Sequence, residues 1–227
     1  MAMELENVVP FGRSLQEYRA LFQLQDHDLD KRILSAADGP ASFNAEMRRM
    51  GHRVYSVDPL YLFEANQIHD QFYRVVDNII QQVKSSTEDW VWKFHASPDA
   101  LRHTRVEALE KFLADFGLGR KEGRYIPARL PVLPFQDNSF DLALCSHFLF
   151  LYSDHLSRDF HLRSIRELLR VAHEARLFPL LTLEQKVSPY VDFIMRKMEQ
   201  EGYVVCLQQV GYELQRGADH MLVITAR

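Results

Sequence analysis

The chain opens on a helical rhythm and then alternates between short apolar runs and amphipathic stretches. Leu15, Tyr18, Leu21 and Phe22 recur at helical spacing behind Ser14, and Glu17 stands three residues after that serine, a capping-box arrangement. The polar segment 25–31 reads as a second short helix or a turn. Residues 32–36 form a compact apolar strand that runs into Asp38-Gly39-Pro40. A helix is predicted over 41–50, closed by Gly51 as helix-terminal glycines do. Residues 53–58 read as a second strand ending on an acid. This strand–turn–helix–strand unit is the first half of a nucleotide-binding α/β fold.

From 62 to 123 the pattern turns helical. Ile68, Phe72, Val75, Ile79 and Val83 form one stripe, a second helix is predicted over 98–116, and Trp90, Trp92 and Phe94 lie between. This is a helical insertion between two strands, and the aromatic residues read as pinning it to the core, with covering a substrate pocket as their alternative role; together with the N-terminal helix the insertion is expected to cap such a pocket. Alternation resumes with a short strand at 125–128, a turn at 137–139 and a buried-type strand at 140–146, where Phe140, Leu142, Ala143 and Leu144 are nearly continuous. A helix over 154–175 carries Leu162, Ile165, Leu168, Leu169 and Val171 on its apolar face. A strand at 176–183 and a helix at 189–202 follow. Strands at 204–214 and 221–226 are joined by only 215–219, a link too short for a crossover, so they form an antiparallel hairpin. The expected fold is α/β: a doubly wound, mostly parallel sheet with a C-terminal antiparallel hairpin, N-terminal helices (1–31) and a helical insertion (62–123), in one domain spanning 1–227.

Bulk properties narrow the function classes. A chain of 227 residues with 47% hydrophobic and 26% charged residues has ordinary globular composition. The net charge of −4 removes any global electrostatic case for nucleic acid, and Arg120, Lys121 and Arg124 read as a solvated turn. Cys145 and Cys206 are the only cysteines, no Cys/His spacing resembles a metal site, and this usage suits a reducing compartment. Glu4 and Glu6 precede any apolar run, so no signal peptide is expected. No apolar stretch approaches the roughly 20 residues of a membrane span. A cytoplasmic protein is expected.

Two segments carry a family resemblance. Residues 32–43, Arg-Ile-Leu-Ser-Ala-Ala-Asp-Gly-Pro-Ala-Ser-Phe, resemble the glycine loop of class I S-adenosylmethionine (SAM)-dependent methyltransferases, and residues 133–147 resemble the same family's segment around its fourth strand. With the C-terminal hairpin, the similarity spans 32–227 apart from the insertion. It departs from the family pattern at Ser35, where an acid is usual, at Ala37 and Ala41, where glycines are usual, and near Arg129, where an acid often contacts adenine. The resemblance implies SAM as cofactor and transfer of its methyl group to a small or medium-sized acceptor.

The loop residues fit a nucleoside. Gly39 lets backbone pass close to a ligand, and Pro40 suits the first turn of the next helix. Asp58 stands twenty residues beyond Asp38 at a strand end, where a carboxylate binds ribose hydroxyls. Asp38 either faces the cationic groups of SAM, where a dinucleotide pyrophosphate would be repelled, or caps the following helix. Ligands lie beyond the carboxyl ends of parallel strands, which adds Ala36 and Ala37 in the loop, and Pro59, Leu60 and Tyr61 as residues flanking adenine. The same rule adds Leu130 after the third strand, and Cys145, Ser146 and His147 beside the methionine portion. Arg13 is a candidate partner for the methionine carboxylate or a solvated residue before a helix. His147 is the candidate general base, needed only if the acceptor must lose a proton, with packing as its alternative role; Tyr152 is a weaker candidate. No Asn/Asp-Pro-Pro-Tyr/Phe motif of nucleobase-methylating enzymes occurs. A SAM-binding regulator without transfer activity and an NAD(P)-dependent oxidoreductase are the competing readings, and a full three-glycine dinucleotide fingerprint is absent.

Overall fold

The structure, a computed structural model, describes residues 9–226. The part of the expected N-terminal cap before Val9, with Glu4 and Glu6, lies outside the described residues.

Within them the strands β1 (Ile33–Ala36), β2 (Val54–Val57), β3 (Tyr125–Ile126), β4 (Phe140–Ser146), β5 (Ala172–Phe178), β6 (Val204–Gln209) and β7 (His220–Thr225) form one sheet in the order β3-β2-β1-β4-β5-β7-β6. Pairing is parallel from β3 through β5, and β7 is antiparallel to both β5 and β6. The helices are α1 (Leu15–Phe22), α2 (Asp26–Leu29), α3 (Phe43–Arg49), α4 (Ala65–Ser85), α5 (Pro98–Lys121), α6 (Arg158–Val171) and α7 (Val191–Gln200). The mostly parallel α/β sheet, its terminal antiparallel pair and the helical segment before β3 are those expected from the sequence.

Side-chain alternation along the strands builds a core on each face of the sheet. Ile33, Val54, Leu142 and Leu144 join the cluster under α1, α3, α4 and α5. Leu34, Val57, Ala143 and Cys145 join the cluster under α6 and α7. Order reverses between β1 and β4, so the loops after β1 and β4 diverge and open a crevice at the carboxyl ends of the strands.

Several boundaries differ from the sequence reading for identifiable reasons. The α4 stripe uses Val76 rather than the half-buried Val75, because Ile68, Phe72, Val76, Ile79, Ile80 and Val83 keep one face. Helix α5 continues through Gly117 and Gly119 to Lys121, since Gly119 admits the Tyr125 ring where a Cβ would lie 2.3 Å from it. Arg124 is therefore no solvated turn residue. It is buried and forks onto Asp115 at 2.8 and 2.9 Å. Helix α6 starts behind Ser157, whose hydroxyl accepts from the Phe160 N–H, and gives way to β5 at Ala172, four residues before the predicted strand. Strand β6 stops at Gln209. Val210, Tyr212 and Leu214 imitate strand alternation, but after Gln209 the chain leaves the sheet and these side chains, with Ala218, are buried from an irregular connection. No helix among the described residues is long and apolar enough to cross a membrane.

Candidate functional site

The loop after β1 takes two left-handed steps, Ala37 at φ 54° and Gly39 at φ 54°, before α3 begins at Phe43. Gly39 has no atom within 4 Å of where a Cβ would stand, so its face is open to the crevice. Its N–H donates to Asp58 Oδ2 at 2.9 Å, and the Leu60 N–H donates to Asp58 Oδ1 at 2.8 Å. Asp58 is thus aimed by the two loops that frame the crevice. Burial pushes its pKa up to about 6, against the two N–H donors and with help from the charge of Asp38.

Asp38 is not the helix cap that is one of its two readings. Helix α3 starts at Ser42 with no side-chain cap, so Asp38 caps nothing. Its Oδ1 accepts from the Tyr18 hydroxyl and from Ser35 Oγ at 2.6 Å, while Oδ2 accepts from Ser56 Oγ at 2.5 Å. The carboxylate ties α1, β1 and β2 together beneath the loop, and burial still pushes its pKa up. Pro40, three residues before the helix, is outside its first turn.

The N-terminal strap crosses this loop closely. The Ser42 N–H donates to the Arg13 carbonyl at 3.0 Å, and a Cβ on Gly12 would lie 2.0 Å from the Pro40 oxygen. The strap is held from behind by Glu17, which receives Arg105 at 2.6 and 2.8 Å with both side chains buried. Arg13 Nη1 donates to the Phe11 carbonyl at 2.7 Å, whereas its buried Nε has no hydrogen-bond partner. Burial and the neighbouring Arg105 lower the Arg13 pKa to about 10, still fully protonated at neutral pH.

These elements enclose a cleft of about 630 Å³, within the range of small-molecule sites. Arg13, Ala37, Asp38 and Gly39 line it, with Asp58, Pro59 and Leu60 from the β2 loop and Leu130, Ser146 and His147 from the β3 and β4 loops. Ala36, Pro40 and Cys145 are not in the lining; Ala36 and Cys145 point into the core below α6, and burial raises the Cys145 thiol to about 12. Tyr61 is fully buried among Phe112, Phe116 and Tyr125 and donates to the Gly39 carbonyl at 2.8 Å, so it braces the loop instead of flanking a ligand. The lining also includes Phe11, Tyr18, Phe63, Gln71, Arg129, Phe148 and Phe160, which the sequence reading did not single out as ligand contacts. Phe148 was within reach of the strand-end rule, one residue past His147. Gln71 and Phe160 sit on helices with no local signal.

His147 closes the far end of the cleft. Its φ of 51° turns the ring off the end of β4, and Nδ1 pairs with Ser146 Oγ at 2.7 Å. Burial, then Arg13 and Arg105, hold its pKa well below the ordinary histidine value, so the ring is neutral at pH 7. Tyr152 Oη accepts from the Val9 N–H at 3.4 Å, beyond the cleft. Among the described residues no cluster of His, Cys, Asp and Glu is placed to hold a metal ion.

No protein-family model matches the chain. An uncharacterised protein, MJ0045 of Methanocaldococcus jannaschii, is 30% identical over 223 residues, covering 98% of this chain and 98% of its own. Among solved structures, the magnesium protoporphyrin IX methyltransferase ChlM of Synechocystis PCC 6803, crystallised with S-adenosylhomocysteine (SAH), superposes with a TM-score of 0.50 at 12% identity, covering 94% of this chain and 81% of that one. The S-adenosylmethionine-dependent methyltransferase SibL, in its apo form, gives 0.50 at 13% identity, with 93% of this chain and 55% of that one covered. At such identities the likeness is one of fold. The chain therefore belongs to one family with the uncharacterised Methanocaldococcus jannaschii protein and has the fold of class I, Rossmann-like SAM-dependent methyltransferases.

Proposed function

We propose that this protein is a SAM-dependent methyltransferase acting on a small or medium-sized acceptor and releasing SAH. The observation that carries the reading is Asp58, whose carboxylate is aimed by the Gly39 and Leu60 N–H groups at the rim of a cleft that Gly39 leaves open. The orphaned Nε of Arg13 fits the same ligand, since a buried donor without a partner calls for an anion such as the methionine carboxylate. When bound, the cofactor supplies an electrophilic methyl group on a sulfonium. The chain's own part is positional: Asp58 accepts from ribose hydroxyls, Leu130 and Pro59 flank the adenine, and Ser146 and His147 border the methionine portion. Alignment of this kind contributes much of the acceleration of a displacement reaction. His147, neutral at its site, accepts a proton where the acceptor carries one. We take the whole chain as one domain, with 1–31 and 62–123 forming the acceptor-side cover, and a cytoplasmic location fits its two free cysteines.

Calorimetric titration with SAM and with SAH tests the reading. Saturable binding to the wild type is expected, weakened at least tenfold, about 1.4 kcal/mol, in Asp58→Ala. Absence of binding to the wild type, or an unchanged affinity in the variant, overturns it.

A further inference from the structure

Behind His147 lies a second, smaller cavity of about 100 Å³, and it shares Val9, Phe11, Arg13 and His147 with the main cleft. Its other walls come from elements the cofactor reading does not use. Ile79 and Val83 of α4, Leu101 of α5, Trp90, Phe178 and Leu214 make it predominantly apolar. Its volume approaches the roughly 150 Å³ at which a dry apolar cavity takes up one benzene ring.

Charge at this cavity is matched in pairs. Arg13 and Arg105 are the charged side chains of its described lining, and His147 is neutral. Arg105 is locked onto buried Glu17 at 2.6 and 2.8 Å, and Arg13 is the group that meets the methionine carboxylate once the cofactor is bound. A charged guest would give up its hydration with no free countercharge to receive it, whereas an uncharged apolar guest gains by leaving water. Polar atoms around the chamber are also engaged. Gln215 Nε2 donates to the Thr182 carbonyl at 2.7 Å, Trp90 Nε1 to Ser86 Oγ at 3.1 Å and the Tyr212 hydroxyl to Glu17 at 3.5 Å, while Tyr152 Oη takes the Val9 N–H at 3.4 Å. The unspent acceptor is His147 Nε2, which none of the described residues reaches. Nδ1 lies 2.7 Å from Ser146 Oγ, and with Nδ1–H donating to that hydroxyl, Nε2 carries a lone pair where cleft and cavity meet.

We propose that this second cavity is the acceptor subsite and that it takes an uncharged, single-ring-sized apolar molecule whose one protic group, a hydroxyl, thiol or N–H, faces His147 Nε2. The proposal names the acceptor class for the methyl transfer above and rests on that cofactor reading. In the transfer the heteroatom's lone pair forms the bond to the methyl carbon, the carbon–sulfur pair stays with sulfur, and the heteroatom's proton passes to His147 Nε2. The positive charge thus moves from the sulfonium to the imidazole and leaves with that proton to water in the cleft. A newly alkylated heteroatom is a far stronger acid than it was before, so an imidazole whose basicity burial has lowered still takes the proton.

Probes of one ring size test this. Phenol, toluene, benzoate and benzylammonium are titrated by calorimetry at neutral pH into SAH-saturated wild type. Phenol is also titrated into two cavity-filling variants, Leu183→Trp at the half-buried rim and Ala218→Leu deeper in. Phenol is expected to bind at least about tenfold more tightly than either ion, and the filled variants to lose at least about tenfold in phenol affinity while keeping SAH affinity within about twofold. In His147→Phe, which keeps a ring and removes the nitrogen, the ratio of phenol to toluene affinity should fall at least about fivefold. The proposal is overturned if benzoate or benzylammonium binds as well as phenol, or if phenol is indifferent to both filling substitutions. It is equally overturned if the phenol-to-toluene ratio is unchanged in His147→Phe, or if no probe binds to protein that binds SAH. Failure of the wild type to bind SAH sinks the cofactor reading and the acceptor assignment together, whereas any of the other outcomes with SAH bound sinks the acceptor assignment alone.

Discussion

Replacing Arg105 by methionine keeps much of the side-chain volume and removes the charge that Glu17 was folded around. The pair is bidentate, at 2.6 and 2.8 Å, with side-chain exposures of 1% and 0%. At an effective dielectric of about 20, unit charges roughly 4 Å apart attract by about 4 kcal/mol. Loss of one partner from a buried pair costs about 3–5 kcal/mol, because the other charge stays buried. Glu17 retains donors from Ser14 N–H at 2.9 Å and from His95 at 3.3 Å, which favours the lower end of that range. Arg105→Met is therefore expected to lose about 3 kcal/mol, a large share of the roughly 5–15 kcal/mol that holds a domain folded. The double variant Glu17→Gln/Arg105→Met should recover much of this, with a coupling of at least about 2 kcal/mol. Urea unfolding with unchanged m values measures all four corners of the cycle. A pH series adds a sign: burial would raise the Glu17 pKa, but Arg105 outweighs it and holds the carboxyl well below its usual range. The stabilisation is present above the unfolded value of about 4.3 and is lost as pH falls below it. The advantage of wild type over Glu17→Gln must therefore shrink on acidification. Single-variant losses under about 1 kcal/mol, or a coupling near zero, would refute the reasoning that this pair anchors the N-terminal strap.

Three further expectations follow from the same structure. Gly12→Ala, whose Cβ would overlap the Pro40 carbonyl at 2.0 Å, should destabilise by about 3 kcal/mol or more. Gly39→Ala meets no atom and should cost only about 1–2 kcal/mol of left-handed strain; urea titration ranks the two, and the reverse order refutes the packing of the strap. The Asp58 carboxyl, raised to about 6 by burial, stabilises the fold at low pH and loses that contribution as pH rises through about 6. Thermal melts should show this slope in wild type and its absence in Asp58→Asn, while SAH affinity should fall as pH drops below about 6, where the carboxylate protonates. Ellman titration of native protein should modify exposed Cys206 and spare buried Cys145 until the chain unfolds; rapid native reaction at both thiols would contradict the placement of β4.

How far the amino-acid order alone carried the account depends on the range of the interaction concerned. The element sequence, the mostly parallel sheet, the terminal hairpin and the strand ends bearing Gly39, Asp58 and His147 were legible, since period-2 and period-3.6 patterns, caps and strand-end loops are local properties. The boundary of β5 was not, because Val171-Ala172-His173 suits either a helix end or a strand start and only pairing with β4 decides it. Residues 210–214 mimicked the continuation of a strand for the same reason. Asp38 is the clearest case at the site: a helix cap was one reading of its spacing, yet it caps nothing, and its carboxylate, at the cleft lining, is shared among Tyr18, Ser35 and Ser56, hydroxyls brought from three separate elements. Arg124, Glu17 and Arg105 likewise acquire meaning only through partners remote along the chain or on neighbouring elements, and Gly12 through a backbone crossing that no motif announces. The sequence by itself determined which segments are helix or strand and which residues cluster at the strand ends. Tertiary structure alone decided which of their polar groups are consumed in holding the loops together and which are left unpaired to meet a ligand, because hydrogen bonding and desolvation of a buried group depend on neighbours supplied by the whole fold.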